Sequence, residues 1–212
     1  MRLVIFGPQG AGKGTQAQRI AEKYGIAAIS TGDIFRWAIK GSTALGLRAK
    51  QYVEAGKLVP DEVTIGVVEE RLKADDCANG FLIDGFPRNV KQAEALDEIL
   101  ERRRVSLDAA LVLDVPEEVS LRRILGRRVC SNCGRNYHLD SPPEVDWTCD
   151  VCGGPVVERQ DDLDEATVRE RLRLYRQETT PLVDYYEKRA LLRKVDGMGT
   201  PDEVFTRIVE TL

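Results

Sequence analysis

Short apolar runs alternate with longer amphipathic stretches along this chain. Arg2-Leu3-Val4-Ile5-Phe6 is apolar and β-branched over a length that suits a buried strand. Comparable runs recur at Ile26 to Ser30, Gly80 to Gly85, Ala109 to Val115 and Leu191 to Asp196. Helical spacing fills the gaps: past Lys13 through Ile20, from Asp61 with Val63, Val67, Val68 and Leu72, and from Asn89 to Arg102. Pro116-Glu117-Glu118 opens another helix, the periodicity resumes near Asp164, and Thr200-Pro201-Asp202-Glu203 reads as a capping box for the last helix. Strands alternating with helices predict an α/β domain with a five-stranded, mainly parallel sheet flanked by helices. Strands apolar throughout fit a sheet covered on both faces.

Two stretches break the alternation. Ser30-Thr31-Gly32-Asp33 starts a helical excursion that runs to Val59, with breaks at Gly41-Ser42 and at Gly56 to Pro60. From Val129 to Arg159 helical periodicity vanishes, and cysteines, glycines and prolines accumulate.

Composition narrows the class. A chain of 212 residues, 42% apolar and 31% charged, suits one sizeable domain with insertions. The net charge of −4 argues against a general nucleic-acid or membrane-surface binder, so positive potential must gather locally. No run approaches the ~20 apolar residues of a membrane span. Five cysteines behind an N-terminus with no signal-peptide pattern point to a reducing compartment, by default the cytoplasm.

The first strand runs straight into Gly7-Pro8-Gln9-Gly10-Ala11-Gly12-Lys13-Gly14-Thr15. Strand, glycine-rich loop and helix is a phosphate-binding setting. Backbone N–H groups turn inward where no Cβ interferes, the helix N-terminus favours anions, and Lys13 supplies a mobile cation. Gly14 stands where a hydroxyl residue is usual, and the hydroxyl comes one later at Thr15. Asp84, ending a strand, is placed to hold Mg²⁺ through its waters.

Cys130-Ser131-Asn132-Cys133 and Cys149-Asp150-Val151-Cys152 are two CxxC knuckles 15 residues apart, the ligand set of a structural Zn²⁺ site. Four thiolates leave no open position for catalysis, and metal binding would order a segment too polar to build a core. Cys77 reads as a small core residue. Arginines bracket the segment at 122, 123, 127 and 128, and at 159, 169, 171 and 173, where some can converge on phosphates.

These residues together resemble the adenylate kinases, nucleoside monophosphate kinases, in their long-lid, zinc-containing form. The resemblance spans the chain. It rests on the phosphate loop, Ser30 to Arg36, Gly56 to Val59, Asp84-Gly85-Phe86-Pro87-Arg88 with Gln92, Gly126-Arg127-Arg128, the four cysteines, and Arg159-Gln160-Asp161-Asp162. It makes Gly14 the expected residue.

The resemblance implies reversible Mg²⁺-dependent transfer from ATP to AMP, giving two ADP. It assigns the ATP phosphates to Gly10, Ala11, Gly12, Lys13, Gly14 and Thr15, with Arg127, and the rest of ATP to Asn136, Tyr137 and Gly199. AMP falls to Thr31, Arg36, Lys57, Leu58, Val59, Gly85, Phe86, Pro87, Arg88 and Gln92, with Arg159 and Arg171. Lys13, Arg88, Arg123, Arg127, Arg159 and Arg171 become the catalytic cations, with Mg²⁺ on Asp84 and Zn²⁺ on Cys130, Cys133, Cys149 and Cys152. Residues 1–29, 60–125 and 164–212 become the core, 30–59 the AMP cover and 126–163 the lid, with Gly126 as hinge. The protein is expected to be a cytoplasmic monomer without nucleic-acid or membrane partners. The loop between the knuckles is one residue shorter than the family pattern, around Trp147.

Two other readings set the contrast. One is a kinase for another nucleoside monophosphate or with GTP as donor, against which Thr31 and Gln92 favour AMP. The other is a zinc-ribbon binding module with a nucleotide switch, which predicts a basic face.

Overall fold

In the computed structural model the described residues are 1–54, 59–159 and 162–212, without the side chains of Asp33, Arg36, Trp37, Lys40, Val53 and Glu54. The first half runs β1 (Arg2–Phe6), α1 (Lys13–Tyr24), β2 (Ala27–Ser30), α2 (Thr31–Lys40), α3 (Ala44–Glu54), α4 (Asp61–Leu72), β3 (Phe81–Asp84) and α5 (Val90–Arg102). Then come β4 (Ala109–Asp114), α6 (Glu117–Leu125), β5 (Arg127–Cys130), β6 (Asn136–His138) and β7 (Val156–Glu158). After α7 (Glu165–Leu174) a π-helical turn, Tyr175–Thr179, leads into α8 (Pro181–Glu187), β8 (Leu192–Asp196) and α9 (Pro201–Thr211).

Five strands form one parallel sheet in the order β2-β3-β1-β4-β8, as expected. The two-residue alternation of a strand explains why the runs are apolar throughout. Leu3, Ile5, Leu82, Leu111 and Leu113 point to one face, against Ala17 and Ile20 of α1 and Val204 and Ile208 of α9. Val4, Phe6, Phe81, Ile83, Ala110 and Val112 point to the other, against α4, α5 and α8. Each such large side chain contributes about 1.5–3 kcal/mol on burial, so both faces drive folding.

Helix ends follow the local chemistry. Asn89 caps α5 by accepting from Gln92 N–H, and Asp164 caps α7 by accepting from Thr167 N–H. The capping box at Thr200 and Glu203 forms in full.

The cysteine-bearing segment folds as a separate three-stranded antiparallel sheet in the order β6-β5-β7. Its strands are three or four residues long, too short for periodicity to reveal. The loop between the knuckles closes as a tight turn: Thr148 N–H donates to Val145 O at 2.8 Å, and Trp147 takes a left-handed φ of 47°.

Candidate active site

β1 and β3 are neighbours, but the helices that follow them leave toward opposite faces of the sheet. That divergence opens a crevice at the carboxyl ends of the strands, where α/β sheets place ligands. The Gly7-to-Thr15 loop lies on one side of it and Asp84 on the other. The loop hugs its surroundings. Gly10 has a φ of 78°, and a Cβ there would meet Ser120 O at 2.6 Å, so α6 rests directly on the loop. A Cβ on Gly14 would meet Asp84 Oδ2 at an ordinary 3.7 Å, so nothing steric requires glycine there.

Lys13 folds back over the loop and donates to Gly7 O and Pro8 O, each at 2.9 Å. Burial holds its ammonium below the ordinary value; Asp84 opposes that shift, while Arg88 and Arg127 deepen it. Arg88 donates from Nε to Gly85 O at 2.9 Å and from Nη2 to Thr31 Oγ1 at 3.3 Å. Solvent reaches this side chain, yet the surrounding protein desolvates the guanidinium enough to lower its value; Asp84 opposes, and Arg171 adds repulsion.

Arg127 makes a two-pronged bond to Asp162, Nε to Oδ2 at 2.7 Å and Nη2 to Oδ1 at 3.0 Å. Arg171 Nη1 donates to the same carboxylate at 3.2 Å. Even so, desolvation lowers Arg127, with Arg159 and Arg171 contributing repulsion. Arg123 donates to Gly10 O at 3.4 Å and to Gly197 O at 3.2 Å, tying α6 to the loops after β1 and β8. Electrostatic contacts thus run from Lys13 to Arg88 and Arg127, from Arg88 to Arg171, and from Arg127 to Arg159 and Arg171. Cations so placed, and partly stripped of water, form a site for a polyanion.

Beside Arg88, Thr31 starts α2 and is 8% exposed. A Cβ on Gly85 would meet Thr31 Oγ1 at 2.5 Å, so this turn fits only with glycine. The Phe86–Pro87 peptide bond is cis. The Phe86 side chain is in the core, which leaves only its backbone for a ligand. Gln92 is buried, Oε1 accepting from Arg88 N–H and Nε2 donating to Asp61. Val59 is half-buried, and its carbonyl accepts from Thr64 Oγ1 at 3.4 Å. Lys57, Leu58, Gln160 and Asp161 lie outside the described residues, as does the side chain of Arg36.

The four predicted cysteines meet, their sulfur atoms all within 4.8 Å of one another. Tetrahedral zinc with bonds of about 2.3 Å needs sulfur separations of about 3.8 Å, so the donor set fits and could hold the ion. Tyr137 lies beside the cluster. Its hydroxyl faces the cluster, donating to Cys149 Sγ at 3.3 Å and accepting from Asp150 N–H at 2.9 Å. That bond, aided by backbone N–H groups, pulls the Cys149 thiol down to about 6. Asn136 is exposed at the start of β6, and Gly199 adopts a φ of 99° between β8 and α9. Cys77 is buried with its thiol pushed up to about 11, chiefly by burial, in keeping with its reading as a core residue.

Two residues were named in the sequence but given no part in the site. Asp162, 4% exposed, organises Arg127 and Arg171, although it entered only as the end of the Arg159-to-Asp162 motif. Asp61 was visible only as a helix start.

Fold and site define an α/β protein with a glycine-rich phosphate loop beside a group of desolvated cations. A family model described as adenylate kinase matches residues 5–191. An adenylate kinase of Clostridium botulinum (strain 657 / Type Ba4) is 54% identical over all of this chain and 98% of its own length. Adenylate kinases of Clostridium tetani (strain Massachusetts / E88) and Clostridium perfringens (strain SM101 / Type A) are each 53% identical over the same shares. The chain belongs to the adenylate kinase family.

Proposed function

We propose that the protein transfers the γ-phosphoryl group of ATP to AMP, reversibly and with Mg²⁺, giving two ADP. A phosphate oxygen of AMP attacks the γ-phosphorus in line, the bond to the β,γ-bridging oxygen breaks, and ADP departs. Such transfer needs alignment and charge neutralisation more than covalent help from the protein. The desolvated cations Lys13, Arg88 and Arg127, with Arg159 and Arg171 beside them, carry this reading: burial first, and then neighbouring positive charge, disfavours the charged forms of the first three, and a bound polyanion would offset both.

In this reading Gly10 to Thr15 hold the ATP phosphates, and Lys13 leaves Gly7 O and Pro8 O for the β- and γ-phosphates. Asp84 would hold the Mg²⁺ that accompanies ATP, and the ion would help neutralise the phosphate charge. Thr31, Arg36, Lys57 to Val59, the backbone of Gly85 to Pro87, Arg88 and Gln92 hold AMP. Arg123, Arg127, Arg159 and Arg171 neutralise the moving phosphoryl group. Asn136, the ring or backbone of Tyr137, and Gly199 meet the rest of ATP. The segments 30–59 and 126–163 close over AMP and ATP and exclude the water that would otherwise accept the phosphoryl group. The four cysteines hold a structural zinc that orders the lid.

The protein is read as a cytoplasmic monomer with no nucleic-acid or membrane partner. No helix among the described residues is long and apolar enough to cross a membrane, and the net charge is −4. A coupled assay for ADP, run with ATP and with or without AMP, tests the function. ADP should form rapidly only when AMP is present. Steady phosphate release from ATP alone, unaffected by AMP, would contradict it.

A further inference from the structure

Gln92 stands on the first turn of α5 and is 5% exposed, with both ends of its carboxamide engaged. Oε1 accepts from Arg88 N–H at 2.8 Å, and Nε2 donates to Asp61 Oδ1 at 2.6 Å. Chemistry alone fixes the orientation of the amide. A backbone N–H cannot accept and a carboxylate cannot donate, so the oxygen must face Arg88 and the nitrogen must face Asp61. Asp61 is itself anchored: it opens α4 and accepts from Asn89 Nδ2 at 3.3 Å on each oxygen.

Gln92 still has a second amide hydrogen and a second lone pair. A donor and an acceptor held in a fixed order can pair with only one order of partners. Adenine presents an acceptor, N1, beside a donor, its 6-amino group. Hypoxanthine presents a donor at N1 beside an acceptor at O6. Turning the amide over would suit the second base, but it would set Oε1 against the Asp61 carboxylate and Nε2 against the Arg88 N–H.

We infer that Asp61 is a positioning residue for base specificity: it holds the polarity of the Gln92 amide and so sets which purine monophosphate is accepted. The inference rests on the proposed AMP site. It assigns to α4 a part in reading the base, although Asp61 need not touch the nucleotide.

The test uses the full chain with Asp61→Asn, which accepts either amide orientation, and Asp61→Ala. Turnover is measured with ATP as donor and AMP or IMP as acceptor, alongside the KM for ATP and the Tm. The ratio of kcat/KM for AMP over IMP should fall at least about tenfold in both variants, because a buried polar mismatch has been relaxed. The KM for ATP should stay within about twofold. A ratio unchanged in variants that bind ATP normally would overturn the role of Asp61. Failure of the native chain to use AMP would instead overturn the acceptor reading beneath it. Should both variants fail to fold, side-chain NMR of the unaltered protein decides. The Gln92 carboxamide hydrogens should exchange more slowly than those of exposed glutamines, and exchange at the exposed rate would refute the lock.

Discussion

The imidazole of His138 occupies the space that a side chain on Gly126 would need: a Cβ built on Gly126 would lie 2.2 Å from His138 Nε2. Gly126 has an ordinary helical φ of −82°, so glycine is there for room and not for backbone freedom. Leu139 N–H also donates to Gly126 O at 2.9 Å, which binds β6 to the end of α6 where the cysteine-bearing sheet begins. Gly126→Ala should therefore destabilise the fold by about 1–3 kcal/mol through overpacking. Adding His138→Ala should recover part of that loss in a double-mutant cycle read by denaturant melts. Additive losses would show that the two residues do not compete for space.

Lys13 combines a phosphate-loop position with a depressed affinity for its proton. Its charge opposes folding below its lowered value, and the cost disappears as pH rises past the ordinary lysine value of 10.5. Lys13→Met should thus keep or raise the Tm of the free protein at neutral pH while turnover falls by at least about a thousandfold. The stabilisation conferred by ATP should shrink in the same variant. A variant that loses stability but keeps turnover would reverse the assignment.

Arg88 offers a flat fork to Gly85 O and Thr31 Oγ1. Arg88→Lys turns that fork into a point charge. Steady-state kinetics should show kcat/KM for AMP down at least about tenfold, with the KM for ATP unchanged. Equal losses for both nucleotides would place Arg88 elsewhere in the mechanism.

The four sulfur atoms within 4.8 Å predict about one zinc per chain by elemental analysis of freshly purified protein. Stripping the metal with a chelator should lower the Tm by at least about 5 °C, because metal binding contributes to folding. A metal-free chain with an unchanged Tm would contradict the structural role.

Much of this was legible from residues 2 to 15 and from the strand alternation, because parallel strands buried on both faces and phosphate loops leave strong local patterns. The CxxC knuckles were equally plain, since ligand spacing is local. What stayed hidden depends on pairs distant in sequence. Tyr137 and Cys149 are separated by a loop with no periodicity, so nothing marked the hydroxyl as a partner of the sulfur. Asp162 reaches Arg127 across the whole cysteine-bearing segment. Gly126 was singled out as a hinge by residue type, whereas the structure gives it a steric reason that only the position of His138 supplies. Gln92 was assigned to AMP by the resemblance alone, and nothing local showed that its amide is braced at both ends.

In the proposed reaction the phosphoryl group passes directly between two bound nucleotides across the crevice that Lys13 and Arg88 share. Single-turnover reaction of enzyme with ATP labelled on its γ-phosphorus and with excess AMP tests it most directly. The label should appear in the β-phosphate of newly made ADP, with almost none in inorganic phosphate. Label accumulating in inorganic phosphate, with AMP left unconverted, would contradict the account.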